Sequence, residues 1–300
     1  MTAGPLPPTP PAPSGRTAAQ KATVADGYRD VARGWHRWRR EFSTAGAAVT
    51  RAVVEAARPR PGMRVLDLAC GVGEPALTLA PLVGPAGRVV ATDLVPEMVG
   101  YASAAAATAG AAIVFGVADA ERLPFADASF DLVTCRNAIM HFPDPGRALA
   151  EAHRVLRIGG RIVLTALGPP RATPAVRATV AVILRHTPPG PPAPALPDPY
   201  GFAVPDTLGA LLTATGFRDV RARTLAAPCP WPGTAEDFWQ ALPDHAWNLR
   251  PMLDRLAPEA RRQVAEEAVA ALRRYEHDGV LRLTAPTVIA HATRGTGAHP

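Results

Sequence analysis

Val65-Leu66-Asp67-Leu68-Ala69-Cys70-Gly71-Val72-Gly73-Glu74-Pro75 decides how the rest of the chain is read. It opens as a short apolar run, Arg64 to Leu68, rich in β-formers and bounded upstream by Pro61-Gly62. Such a run reads as a buried parallel strand. It then breaks into Gly71-x-Gly73, and Pro75 stands where the first turn of a following helix tolerates a proline. Strand, glycine turn and helix start together let backbone approach a nucleotide-like ligand. The N–H groups at the helix N-terminus then face an anion.

Outward from this stretch, strand and helix alternate. A helix over Glu74–Leu82 is followed by a strand over Arg88–Thr92 that ends at Asp93. A helix over Pro96–Ala107 precedes a strand over Ala112–Val117, with Asp119 just beyond. Phe130–Cys135 is a strand ending at Arg136-Asn137, and Gly146–Leu156 is a helix closed by Gly159-Gly160 before a strand over Arg161–Ala166. This order predicts an α/β fold, a doubly wound, mostly parallel seven-stranded sheet with helices on both faces. Ligands bind such sheets beyond the carboxyl ends of the strands, where Asp93, Asp119 and Asn137 fall.

The glycine turn by itself is ambiguous. Gly71 to Ala76 also fits the dinucleotide fingerprint, and Asp93 follows Gly73 by 93 − 73 = 20 residues. Asp67, inside the strand and four residues before Gly71, separates the readings. The D-x-x-C-G-x-G arrangement resembles the cofactor loop of class I S-adenosylmethionine-dependent methyltransferases. From Arg64 to Leu167 the chain is similar to the small-molecule members, particularly the ubiquinone/menaquinone-biosynthesis group. The motifs are Leu66–Gly73, Ala91–Met98, Ala118–Phe125, Ser129–Val133, His141–Asp144 and Arg154–Gly160, in the family's order.

The resemblance implies S-adenosylmethionine as cofactor and a role for each matching residue. Gly71 and Gly73 let the backbone approach the methionyl part, with Asp67, Ala69 and Cys70 beside it. Asp93 accepts from the ribose hydroxyls, since a carboxylate is acceptor-only and takes both. Leu94 and Met98 flank the adenine, and Asp119 with the Ala120 backbone meets its exocyclic amine. Arg136 and Asn137 line the floor near the sulfonium. Ala69 departs from the glycine that many members carry, so its backbone is less free. His141 is the candidate general base, with a cofactor-side structural role as the alternative. The function implied is methyl transfer to a small, apolar or aromatic metabolite, with the accepting atom open between O, C and N. The alternatives are a cofactor-binding protein catalysing a non-methylating reaction such as cyclisation, and an NAD-dependent oxidoreductase. Asp67 and the Asp119 stretch disfavour the latter.

The flanks are less regular. Residues 1–20 are proline-rich and read as a disordered tail. Residues 21–293 read as one domain, beginning with a helical cap over 21–60 and the cofactor core over 61–167. A Pro-rich loop with helix and strand follows over 168–227, then a helical excursion over 228–279 and a last strand over 280–293, leaving 294–300 as a tail. Val24, Tyr28, Val31, Trp35, Trp38 and Phe42 form one stripe of an amphipathic helix, and a second helix spans about Ala47–Ala57. All five tryptophans lie outside the strand-helix core. Tyr28, Trp35, Trp38 and Trp239 are therefore the expected acceptor-lining residues.

Composition bounds the partners. Of 300 residues, 48% are hydrophobic and 19% charged, enough apolar material to bury a core. The net charge of +6 is carried by scattered arginines, with Lys21 the only lysine, which reads as a solvated surface rather than a nucleic-acid patch. Cys70, Cys135 and Cys229 lie far apart without metal-ligand spacing, so no metal is expected and a reducing cytoplasm fits. No apolar run reaches the roughly 18 residues a bilayer span needs, so no stable membrane insertion is expected. The sequence leaves oligomeric state open.

Overall fold

The computed structural model describes residues 15–188 and 196–296. Residues 1–14 of the expected tail, the middle of the proline-rich loop and residues 297–300 lie outside them. The sheet is built from β1 (Arg64–Leu68), β2 (Arg88–Asp93), β3 (Ile113–Val117), β4 (Phe130–Arg136), β5 (Leu156–Leu167), β6 (Phe217–Trp231), β7 (Glu276–His277) and β8 (Val280–Arg294). Their order is β3-β2-β1-β4-β5-β8-β6, with the two-residue β7 paired to β8. Strands β1 to β5 pair in parallel, while β8 runs antiparallel between β5 and β6.

Alternating residues of β1 explain why the sheet is covered on both faces. Val65 packs with α2 (Arg39–Ala57), α3 (Ala76–Val83) and α4 (Pro96–Ala109), through Val53, Leu79 and Ala102. Leu66 and Leu68 face the opposite cluster, with Leu149 of α5 (Pro145–Val155) and Leu208 and Leu212 of α7 (Pro205–Ala214). A strand apolar on both sides is stable only between two helical layers.

A second helical body covers the carboxyl ends of the strands. It comprises α1 (Gly15–Arg37), α6 (Pro174–His186), α8 (Ala235–His245), α9 (Arg250–Asp254) and α10 (Pro258–Arg273). Its packing has its own centres. Trp231 is 1% exposed and its ring centroid lies 5.4 Å from those of Phe42 and Phe238 and 5.8 Å from that of Trp38. Val182, Leu242, Leu253 and Val264 form the other centre, between α6, α8, α9 and α10.

Four expectations change here. The N-terminal helix begins at Gly15, so residues 15–20 are helical rather than tail. The Val24–Phe42 stripe is not one helix, because the chain turns at Trp38 and restarts at Arg39. The bonds Trp38 N–H to Gly34 O and Phe42 N–H to Trp38 O, both 3.0 Å, carry the helical phase across the break, which is why the stripe survives it. The strand expected within residues 168–227 runs from Phe217 on to Trp231, so residues 228–231 are sheet rather than helical excursion. The last strand continues to Arg294, one residue into the expected tail. At the β7–β8 hairpin, Asp278 and Gly279 both take positive φ, 52° and 70°, as a tight two-residue turn requires.

Candidate active site

The ends of β1, β2 and β4 and the loop after β3 open into one cavity of about 370 Å³, closed from above by α1 and α2. Gly71 sits on its wall at φ 53°, with nothing within 4 Å of where a Cβ would stand. A glycine here keeps the backbone accessible and the dihedral unstrained. Ala69, also on the wall, takes φ 51° despite its Cβ, a conformation that favours glycine.

The acids at successive strand ends have distinct environments. Asp93 accepts from the Gly71 amide at 2.9 Å and the Val95 amide at 3.0 Å, which ties the glycine turn to β2. Burial pushes its carboxyl above the usual range, and those amides oppose the shift. Asp119 accepts from the Glu121 amide at 2.9 Å and from Lys21 Nζ at 2.6 Å. Lys21 also pairs with Glu121 at 2.6 Å, and Glu121 is only 3% exposed. Burial draws the Lys21 ammonium down, but the two carboxylates outweigh it and hold it above the usual value. Asp67 is fully buried; its Oδ1 accepts from the Thr134 hydroxyl at 2.7 Å and its Oδ2 has no hydrogen-bond partner among the described residues. Burial pushes its pKa up to about 7.

The rest of the cavity wall is largely apolar and aromatic. Trp35 lies against Phe42, centroids 4.4 Å apart, and Leu167, Cys229 and Ala285 complete the wall. Tyr28 meets His141 edge to face at 5.4 Å. Burial pulls His141 down to about 4 and pushes the Tyr28 hydroxyl up, so both are neutral near pH 7. Asn137, at φ 53°, is held by its amide on Thr165 O and by the Thr165 hydroxyl donating to its Oδ1 at 2.7 Å.

Most of the expected residues come together on this wall: Ala69, Cys70, Gly71, Asp93, Leu94, Met98, Asp119, Ala120, Arg136, Asn137, His141, Tyr28 and Trp35. Asp67 and Gly73 lie behind it: Asp67 is enclosed by the sheet, and a Cβ on Gly73 would stand 2.8 Å from Leu77 Cδ1. Trp38 and Trp239 are corrections. Trp38 packs on Trp231 and donates its indole N–H to Asp244 Oδ2 at 2.9 Å. Trp239 packs beside Leu242 and Leu249. Both serve the helical body rather than the cavity wall. Sequence reading missed Lys21, Phe42, Gly46, Glu74, Cys229 and Ala285. Phe42 already stood in the aromatic stripe, and the solitary lysine was a second available signal.

The residues fit a sulfonium-containing nucleoside. The wall offers open space at Gly71, acids at two successive strand ends and the apolar Leu94 and Met98. Fold and site define a class I S-adenosylmethionine-dependent methyltransferase of the small-molecule type.

Comparison with known proteins agrees. The family described as "Methyltransferase domain" matches residues 66–164. A demethylmenaquinone methyltransferase of Deinococcus radiodurans is 36% identical over 214 residues, 68% of this chain and 82% of that protein. Nocamycin O-methyltransferase of Saccharothrix syringae is 32% identical over 265 residues, 82% of this chain and 89% of that protein. Among solved structures, YcgJ of Bacillus subtilis superposes with a TM-score of 0.53 at 23% identity, covering 83% of this chain and 98% of that one. The [4+2]-cyclase SpnF superposes at 0.52 with 23% identity, covering 83% and 80%. These last two likenesses show the fold alone. The chain belongs to the S-adenosylmethionine-dependent methyltransferase family, and S-adenosylmethionine is its cofactor.

Proposed function

We propose that this enzyme methylates an apolar or aromatic small molecule seated between Trp35, Phe42 and Leu167, with the cofactor held at the Asp93–Asp119 end. The observation that carries the reading is one cavity lined both by strand-end acids and by aromatic and apolar side chains. The cofactor supplies an electrophilic methyl on a sulfonium, so the chain's own residues have alignment and exclusion of water as their main work.

Asp93 would take the ribose hydroxyls, and Leu94 and Met98 the adenine faces. Asp119 would take the exocyclic amine, competing with Lys21 for its Oδ2. Asp67 supports the turn from behind, through Thr134, rather than touching ligand. His141, held neutral by burial, is available to accept a proton from an acceptor hydroxyl, although a group titrating near 4 is a weak base. The two named relatives act on small metabolites, which supports an acceptor of that size. The three cysteines are free thiols, in keeping with a reducing, cytoplasmic setting. No helix among the described residues is long and apolar enough to cross a membrane. The scattered arginines favour small-molecule rather than nucleic-acid partners.

The test is incubation with S-adenosylmethionine and a panel of aromatic hydroxy, amino and quinol acceptors, following S-adenosylhomocysteine. Stoichiometric S-adenosylhomocysteine with a methylated aromatic acceptor is expected. Acceptor consumed without it would favour a rearrangement instead, and NAD binding tighter than S-adenosylhomocysteine would overturn the assignment.

A further inference from the structure

Arg136 is the one guanidinium on the cavity wall, and its surroundings leave it incompletely used. It ends β4, and its Nε donates to the Glu74 carbonyl at a long 3.4 Å. Among the described residues its terminal nitrogens have no hydrogen-bond partner, and no carboxylate lies within ion-pair distance. Glu74 and Asp67 are the nearest acids that act on it through space. Glu74 accepts from the Thr78 hydroxyl at 2.7 Å and Asp67 from Thr134, so both carboxylates have other engagements. The other cation on the wall, Lys21, is by contrast fully committed to Asp119 and Glu121.

Position then decides which ligand the free nitrogens face. A Cβ built on Gly46 would stand 2.6 Å from Arg136 Nη1, so the guanidinium lies directly against α2 at that glycine. Gly46 is one helical turn beyond Phe42, and Phe42 packs on Trp35. Guanidinium, glycine and two aromatic rings thus lie side by side on the cavity wall, with the Glu74 carbonyl of the glycine turn on the guanidinium's Nε. A planar cation with several donors beside aromatic faces matches an aromatic acid, whose carboxylate takes parallel N–H bonds while its ring stacks.

We propose that Arg136 and the Trp35–Phe42 wall bind a planar oxyanion on the acceptor, a carboxylate attached to an aromatic or apolar body, and that Gly46 is small so that the guanidinium reaches it. The inference rests on the methyltransferase reading of the cavity. It makes Arg136 a positioning group for the acceptor rather than a ligand of the cofactor's own carboxylate.

The experiment uses the full chain saturated with S-adenosylhomocysteine, probed by calorimetry with 2-naphthoate and its neutral analogue 2-naphthamide. The acid should bind roughly 10-fold tighter than the amide, the scale of one charge-assisted pair. Arg136→Gln should abolish that preference. Gly46→Ala should lower it too by displacing Nη1, and it guards against an Arg136 variant that fails to fold. Neither change should alter affinity for S-adenosylhomocysteine or for 5′-methylthioadenosine, which lacks the carboxylate, by more than about twofold. Equal binding of acid and amide to the unmodified protein overturns the proposal. So does an Arg136→Gln protein that loses S-adenosylhomocysteine but keeps methylthioadenosine, since Arg136 would then hold the cofactor's carboxylate. Failure of the unmodified protein to bind S-adenosylhomocysteine at all would instead remove the underlying methyltransferase reading.

Discussion

The cofactor core, Arg64–Leu167, and the helical body above it solve the same packing problem by different means. In the core, one strand serves two helical layers, and each alternate side chain has a fixed side of the sheet. The glycine turn, the acid and the strand end are therefore tied to one another in sequence as well as in space. Above the sheet, α6, α8, α9 and α10 gather side chains from distant parts of the chain around Trp231 and Val264. Nothing there repeats with a strand's period. The core fixes where the strand-end acids stand, while the upper body packs around its own centres and sends α1 across them.

The contrast breaks most visibly at Trp231. Trp231→Ala should cost about 3–5 kcal/mol of stability, the range for a buried aromatic truncated in a core. Affinity of the folded fraction for S-adenosylhomocysteine should be unchanged. Thermal melts alongside calorimetry measure both, and a melting point close to the parent's would mean the upper body is not a packed core. Trp38→Ala should follow the same pattern with no change in acceptor KM.

Asp93→Ala tests the other side. It should weaken S-adenosylhomocysteine binding by about 1.5–3 kcal/mol, because it removes acceptors for the ligand and for the Gly71 and Val95 amides. An unchanged affinity in a folded variant would take Asp93 out of the site.

The third test is a pH dependence. Folding raises the Asp67 pKa from the ordinary carboxylate value to about 7. The folded chain therefore keeps a proton that the unfolded chain loses from about pH 4 upward. Stability from this group is fully present at low pH and is lost as pH rises through about 7. Between pH 6 and 8 this group alone should withdraw roughly 1.4 kcal/mol. Buried His141, whose pKa is lowered to about 4, runs the other way, so the Asp67 part is read from the difference between the parent and Asp67→Asn. Chemical denaturation at the two values checks this, and Asp67→Asn should flatten that part of the difference. A variant with the parent's slope would place the titration elsewhere.

The smallest effect is expected at Ala69. Ala69→Gly relieves a positive φ but loosens the unfolded chain, for a net gain of roughly 0.5 kcal/mol. A loss of stability in urea titrations would show that the Ala69 methyl contributes packing that outweighs its strain.

How much of this was legible in the sequence follows the same division. The core strands were readable because their runs are short, apolar and closed by glycine, and because both faces are buried. The order of strand and helix then placed Asp93, Asp119 and Asn137 on one edge. The upper body was not readable to that depth. An aromatic stripe says that rings are buried, not which body buries them, so Trp35 and Trp38 looked equivalent although they part at the α1–α2 break. Pro228 and Pro230 suggested the end of a strand. In the structure β6 is the edge strand, where prolines are tolerated because one row of backbone groups has no neighbour to pair. Lys21 was passed over because its partners lie about a hundred positions away.

The β6–β8 ribbon leaves the sheet and climbs into the upper body, where its register holds Ala227 opposite Ala285 and Cys229 opposite Leu283. Cys229 and Ala285 both line the cavity. Two small side chains on a stiff beam would then set how long a guest seated there can be. A descendant of this enzyme could exchange either for a larger residue, or trim Cys229 to alanine, without shifting a helix or disturbing a strand that holds the nucleoside. Divergence toward new guests is cheap in such an arrangement, because the ruler and the engine are cut from separate pieces of the same sheet.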